Sequence, residues 1–337
     1  MGHQYLSAVS VAAAVAAAVS LLPAPVLGQA ATAAPAAWTP PRTSWGHPDL
    51  QGIWTNETIT PFERPDELQG KTILTAEEAA RLEQKTAQRR AAGDGSSPPG
   101  SVGAYNQFWM DSGTRVVSTR QTSLVVDPSD GKVPVRPEAK AKRDDNRARV
   151  TDSYEYMNLW DRCITRGVPG SMFPTAYNNA YQILQTPGYV VILYEMIHDT
   201  RIIPLDGRPH VDPKIRLWMG DSRGRWEGDT LVVDTANFSD KARIKGTFNS
   251  EALRVVERFT LIDADTIGYE VTIDDPETYT RPWKVAMPLN RNQDYQMFEY
   301  ACHEGNKAVG LMLRGARAQE KAAEEAAKKP VADSKLP

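Results

Sequence analysis

Residues able to move protons or hold anions gather in one stretch of the chain, Tyr177 to Asp234. Glu195, His198 and Asp199 stand close together there, Arg201, Arg208 and His210 follow, and Tyr and Trp residues are set among them. On an extended segment 189–197, Tyr189, Val191, Leu193 and Glu195 share one face, so Glu195 ends an otherwise apolar stripe. Burial at such a position disfavours the carboxylate, raises its pKa and suits it to general acid or base work. His198 and Asp199 fall in the turn that follows, and His303 follows Cys302 at the end of the last expected strand. Glu195, His198 and His303 are therefore the expected catalytic residues. Tyr177, Asn179, Tyr181, Arg201, Arg208, His210 and Trp218 are the expected lining of a substrate site. The structural alternative for Glu195 is a salt bridge to Arg201 across the tight turn.

A metal is considered and not favoured. Neutral imidazoles with a carboxylate make zinc sites, but His-x-x-x-His and His-Glu-x-x-His spacings are both missing, so a site would have to be assembled from distant strands. No cofactor is expected, because neither a Gly-x-Gly-x-x-Gly nor a Walker-type loop occurs. Nicotinamide enzymes, P-loop enzymes and α/β-hydrolases are not expected. Lys and Arg number 39 against 42 Asp and Glu, a formal net charge of −3, and no basic patch is interleaved with aromatics. That balance argues against a nucleic-acid partner.

The elements that must position these residues are mostly strands. Candidates recur at 181–185, 189–197, 200–204, 215–219, 229–235, 254–262, 266–273, 283–288 and 295–301, after an earlier one at 119–127. Pro187-Gly188 and Asp206-Gly207 mark reversals, and Asp221 and Asp229 flank an expected turn at 222–228. The meander lacks the intervening helices that a parallel sheet needs. The expected fold is mainly β, an antiparallel meander forming a lipocalin-like barrel or curved sheet, with a helical N-terminal segment and a C-terminal helix. Gly52-Ile53-Trp54 reads as the first barrel strand, with Trp54 buried and Gly52 letting the backbone pass closely. Thr75 and Glu78 form a capping box that opens a helix over 75–92, and 138–149 reads as a charged, solvated helix.

Residues 1–30 read as an export signal, with an Ala-rich run ending in small residues around Gly28-Gln29-Ala30. Residues 31–44 form an expected flexible tether, 45–317 a single β-rich domain and 318–337 a polar helical or disordered tail. No membrane span is expected after cleavage. In an oxidising compartment the two cysteines, Cys163 and Cys302, are expected to bridge; a free thiol or a metal ligand at Cys302 is the alternative.

The runs HDTRIIPLDGRPH, GDSRGRWEGDTLVVDT and YEYACHEGN resemble a family of exported bacterial proteins. The resemblance covers most of the chain beyond Trp45 and implies a periplasmic or secreted protein. It brings no activity with it, and the lipocalin comparison is one of architecture only. The expected function is a cofactor-independent enzyme of lyase or isomerase type, acting on a small apolar or aromatic molecule by acid–base catalysis. The alternative is a non-catalytic carrier for such a ligand.

Overall fold

Apolar and polar residues alternate furthest in two neighbouring segments, and both become long strands in the structure. The structure, a computed structural model, describes residues 38–91 and 110–328. The expected leader, tether residues 31–37, the loop expected at 93–103 and the end of the tail lie outside the described residues. From Pro40 onward the chain is one compact unit.

The strands are β1 (Gly52–Thr55), β2 (Val125–Asp127), β3 (Ala180–Gln185), β4 (Tyr189–Tyr194), β5 (Thr200–Pro204) and β6 (Asp221–Glu227). They continue as β7 (Thr230–Ala236), β8 (Arg243–Ile244), β9 (Thr247–Phe248), β10 (Arg254–Asp263), β11 (Thr266–Asp274) and β12 (Trp283–Arg291). The helices are α1 (Ala76–Ala91), α2 (Pro137–Ala148) and α3 (Ala308–Ala327). In β10 and β11 every second residue is buried: Val255, Glu257, Phe259 and Leu261 on one, Ile267, Tyr269, Val271 and Ile273 on the other. This period of two faces one row inward and the other outward.

Antiparallel pairing runs in the order β5-β4-β3-β1-β12-β11-β10-β7-β6, and β2 pairs with the start of β12. The sheet curls into a nearly closed barrel, because its end strands β5 and β6 come together. Gly224 of β6 allows this approach: a Cβ there would lie 2.7 Å from Leu205 and 2.8 Å from Ile203. The interior is filled by large side chains, among them Trp54, Tyr181, Tyr194, Phe259, Tyr269 and Trp283, each under 2% exposed.

Trp54 takes the expected role on the first barrel strand, whereas Gly52 makes room for a side chain and not for passing backbone. Trp54 is fully buried, donates from Nε1 to the Leu50 carbonyl at 2.9 Å, and carries the Arg291 guanidinium 4.2 Å over its ring. Gly52 has φ of +138°, and a Cβ would sit 2.5 Å from Arg291 Nη1. The capping box also forms: Glu78 accepts from the Thr75 amide at 2.9 Å, and Thr75 Oγ1 accepts from the Glu78 amide at 3.2 Å. A cap of this kind is worth about 1 kcal/mol.

Several expectations change. The segments 215–219 and 295–301 are not strands, and 119–127 shortens to β2. The segment 222–228, read as a turn, is most of β6, with the reversal at Gly228-Asp229. Thr43, at the end of the expected tether, already turns onto His47, and Arg42 pairs with Asp229 at 2.6 Å. The Cys163–Cys302 disulfide is present, with Cα atoms 5.6 Å apart.

Candidate functional site

The expected catalytic residues occupy three different environments. Glu195 follows the last residue of β4 and is 1% exposed. Its Oε1 accepts from the Tyr295 hydroxyl at 2.6 Å, and its Oε2 has no hydrogen-bond partner. Burial, then the bond to Glu195, pushes the Tyr295 phenol above its usual pKa. His198 is exposed, with Nδ1 2.5 Å from the Tyr300 carbonyl, and His303 is exposed in a turn. Asp199 accepts from Thr165 at 2.7 Å, yet burial still raises its pKa.

Arg201 does not pair with Glu195. It shares the inward phase of β5 with Ile203, so its guanidinium enters the barrel and meets Glu257 of β10, Nη2 to Oε2, at 2.5 Å. Of the other expected lining residues, Tyr181 is inside the barrel, and Asn179 is buried and tied to Asp111 and Thr175. Arg208 is exposed and paired with Asp206, and Tyr177 and Trp218 are half-buried. His210 stands between Asp221, at 2.9 Å, and Asp234, at 3.8 Å. Among the described residues no cluster of His, Cys, Asp and Glu could hold a metal.

Inside the barrel, Arg201 and Glu257 anchor a buried polar layer. Arg201 also donates to Ser222 at 2.9 Å and to Thr235 at 2.7 Å, while the Tyr269 hydroxyl donates to Glu257 at 2.9 Å. Burial works against the Arg201 charge, but Glu257 holds its pKa above the usual value. Burial also lifts the Tyr194 phenol, to about 12. Tyr181 and Tyr194 hydroxyls and Arg201 Nη1 have no hydrogen-bond partner. Gly220-Asp221-Ser222-Arg223-Gly224 fits the nucleophile-elbow pattern of α/β-hydrolases, but Ser222 lies within β6 with no strand-to-helix turn. Its hydroxyl is committed to Arg201, so the pattern carries no hydrolase chemistry here.

Chemistry that the sequence did not announce collects outside the barrel. A cleft of about 670 Å³ opens between α2, the segment after it and the β8–β9 hairpin. Arg143 and Arg147 of α2, Arg243 and Lys245 of the hairpin, and Tyr156 and Trp160 are in its wall, which contains no Asp or Glu. A second cavity of about 440 Å³ shares Arg143 and Lys245 and adds the rings of Phe62 and Trp283, with Glu63 and Lys140. Lys245 thus stands where the two meet.

Of these cations Arg143 and Lys140 share Asp144, at 3.4 Å and 2.6 Å, and the rest lack counter-charges. Among the described residues, Lys245, Arg243, Arg147 and Arg166 make no ion pair within 4.0 Å. Arg243 bonds only neutral acceptors, the Tyr156 carbonyl at 3.4 Å and Asn146 Oδ1 and the Glu155 carbonyl at 3.3 Å, and stacks 4.1 Å over Phe248. Arg166 stacks 5.1 Å over Trp160. The Nε atoms of Arg166 and Arg243 are buried without a partner. Burial lowers the pKa of both guanidiniums, and Arg162 lowers that of Arg243 further.

Lys245 is an exposed residue by area, because the cleft admits water, but protein atoms crowd its ammonium. Burial and then Arg166 bring its pKa down to about 8, with Glu63 opposing. The ammonium lies 4.5 Å from the centre of the Phe62 ring.

α2, read as a solvated helix, has no buried residue and also supplies one wall of this cleft. No family model matches the chain, and no curated protein or solved structure matches it.

Proposed function

We propose that this protein binds a small organic anion with a flat, apolar body in the cleft between α2 and the β8–β9 hairpin. The observation that carries the reading is a wall with four cationic side chains, no acidic one, and two aromatic rings. Desolvated charges without partners are costly, and a bound carboxylate would repay that cost by charge-assisted hydrogen bonds. Tyr156 and Trp160 add apolar surface for a ring or a planar chain, beside the guanidiniums of Arg149 and Arg166 that lie over their rings. A volume of about 670 Å³ falls within the range that accepts a small molecule. The barrel acts as scaffold, and its filled interior leaves the binding role to the segments packed around it. Export remains part of the proposal, and the Cys163–Cys302 bridge is compatible with it.

Proton transfer by Glu195, His198 and His303 has less support. None of the three lines this cleft, and Glu195 is sealed under Tyr295. Titration calorimetry with benzoate and benzamide separates charge from shape. Benzoate should bind at least about ten-fold more tightly, as expected from one charge-assisted hydrogen bond. Equal affinities would end the anion reading.

A further inference from the structure

Lys245 occupies a position that the fold does not favour for lysine. β8 and β9 are joined by two residues only, Lys245 with φ of 48° and Gly246 with φ of 83°. A two-residue turn with both φ values positive favours Asn-Gly or Gly-Gly, since a residue with a long side chain is strained in the left-handed region. Sparsely populated backbone at a pocket wall points to a role for the side chain it carries. The side chain contacts the Phe62 ring, whose centre lies 4.5 Å from the ammonium. It makes no ion pair and no hydrogen bond among the described residues, and it reaches the junction of the two cavities.

We infer that Lys245 is an amine nucleophile that forms an imine with a carbonyl-bearing organic acid held in this cleft, an inference that rests on the anion reading above. Such an amine must be neutral to attack, and a lysine is made so by desolvation and by a neighbouring cation. Both are in place. Phe62 lies under the ammonium, Arg166 stands near it, and Arg143 of α2 and Arg243 of the same hairpin line the same walls. Glu63 is the one carboxylate that opposes them in the joined cavity, while Lys140 adds a further cation. The same guanidiniums that favour the neutral amine would hold the carboxylate of the substrate.

The step balances without a redox partner. The Nζ lone pair forms the C–N bond to the carbonyl carbon, and the carbonyl π pair moves to oxygen, which takes a proton. The amine loses a proton, the hydroxyl takes a second proton and leaves as water as the nitrogen lone pair forms the C=N bond, and a protonated imine remains; the extra proton comes from solvent. Nothing is oxidised or reduced. An iminium next to a carboxylate-bearing carbon is an electron sink, which suits carbon–carbon cleavage or decarboxylation of an oxo acid, the chemistry of a lyase without a cofactor.

Phenylpyruvate with sodium cyanoborohydride, followed by peptide mapping of the full chain, tests the inference. Cyanoborohydride delivers hydride to the iminium carbon and fixes the adduct as a secondary amine. At pH 8 about half of an amine with a pKa of about 8 is neutral, against under one in a hundred for an ordinary lysine. Labelling of Lys245 should therefore exceed that of other lysines by on the order of ten- to a hundred-fold, and benzoate should protect it. Lys245→Arg keeps the charge and should lose the adduct. Arg166→Met should shift the half-maximal pH of labelling upward, since removing the cation favours the ammonium. If benzoate binds but Lys245 labels no faster than surface lysines, the imine is overturned and the anion reading stands. If benzoate does not bind, the anion reading falls and the imine with it.

Discussion

Arg201 of β5 reaches Ser222 of β6, Nε to Oγ, at 2.9 Å, so a side chain joins the two end strands of the sheet. The backbone ladder has no register between these strands, and the barrel is closed there by packing around Gly224 and by this buried polar layer. Arg201 can enter the interior only because Glu257, fully buried on β10, neutralises it.

Removing one partner should therefore cost far more than removing both. Glu257→Ala leaves a buried guanidinium without its counter-ion and should destabilise the fold by about 3–5 kcal/mol. The double variant Arg201→Met, Glu257→Leu replaces the pair by apolar groups of similar volume and should cost much less, because no buried charge is stranded. Urea unfolding followed by tryptophan fluorescence measures both. A Glu257→Ala loss below about 1 kcal/mol would show that the seam does not depend on the pair.

The disulfide should matter on the same scale for a different reason. Cys163 and Cys302 are 139 positions apart, and constraining so long a loop in the unfolded chain stabilises the fold by about 4–5 kcal/mol in the chain-entropy model. The expected result is no reactive thiol in denatured, unreduced protein, and a marked fall in midpoint for Cys163→Ala, Cys302→Ala. Two reactive thiols would return Cys302 to the set of candidate nucleophiles.

Much of the barrel was legible because its strands obey a period of two and its turns use Gly and Pro, as in β10–β11 and at Pro187-Gly188. The misread segments fail for identifiable reasons. In β6, Gly224 looks like a turn residue but is small because β5 crowds it, and Ser222 accepts a hydrogen bond from Arg201 of β5. The run 295–301 has strand-like composition but no strand pairs with it, since the end strands β5 and β6 face each other; it is pinned through Tyr295 to Glu195 and through Tyr300 to His198. Glu257 did carry a signal, a charge in the same phase as Val255, Phe259 and Leu261. The cationic cleft carried almost none. Arg143 and Arg147 of α2, Arg166, and Arg243 and Lys245 of the β8–β9 hairpin come from three separate stretches of the chain, and Lys245-Gly246 becomes informative only once its two short strands are seen to pair.

Lys245 also sets a pH dependence of stability. Its pKa is about 8 in the folded protein against an ordinary value of 10.5, so between these values the unfolded chain binds the extra proton. Stability then rises with pH across that window, and below about pH 8 the folded state carries the full penalty of a disfavoured ammonium. Lys245→Met should stabilise the protein at pH 7, with a gain that shrinks towards pH 10.5. Thermal melts of both proteins from pH 6.5 to 10.5 decide the matter, and a pH-independent difference would mean that the ammonium is not disfavoured in the fold.

Glu195 and Tyr295 form the other buried acid–phenol pair, and here the structure points to a clamp. Among the described residues the Tyr295 hydroxyl is the one side-chain donor to a carboxylate that is 1% exposed, and it fastens the 292–300 segment over the end of β4. Tyr295→Phe deprives the carboxylate of that donor and should cost about 1–3 kcal/mol at neutral pH, the penalty for an unsatisfied buried acceptor. Melting curves of Tyr295→Phe and of the parent at about pH 7.5 provide the measurement. A Tyr295→Phe variant as stable as the parent would show that Glu195 needs no clamp.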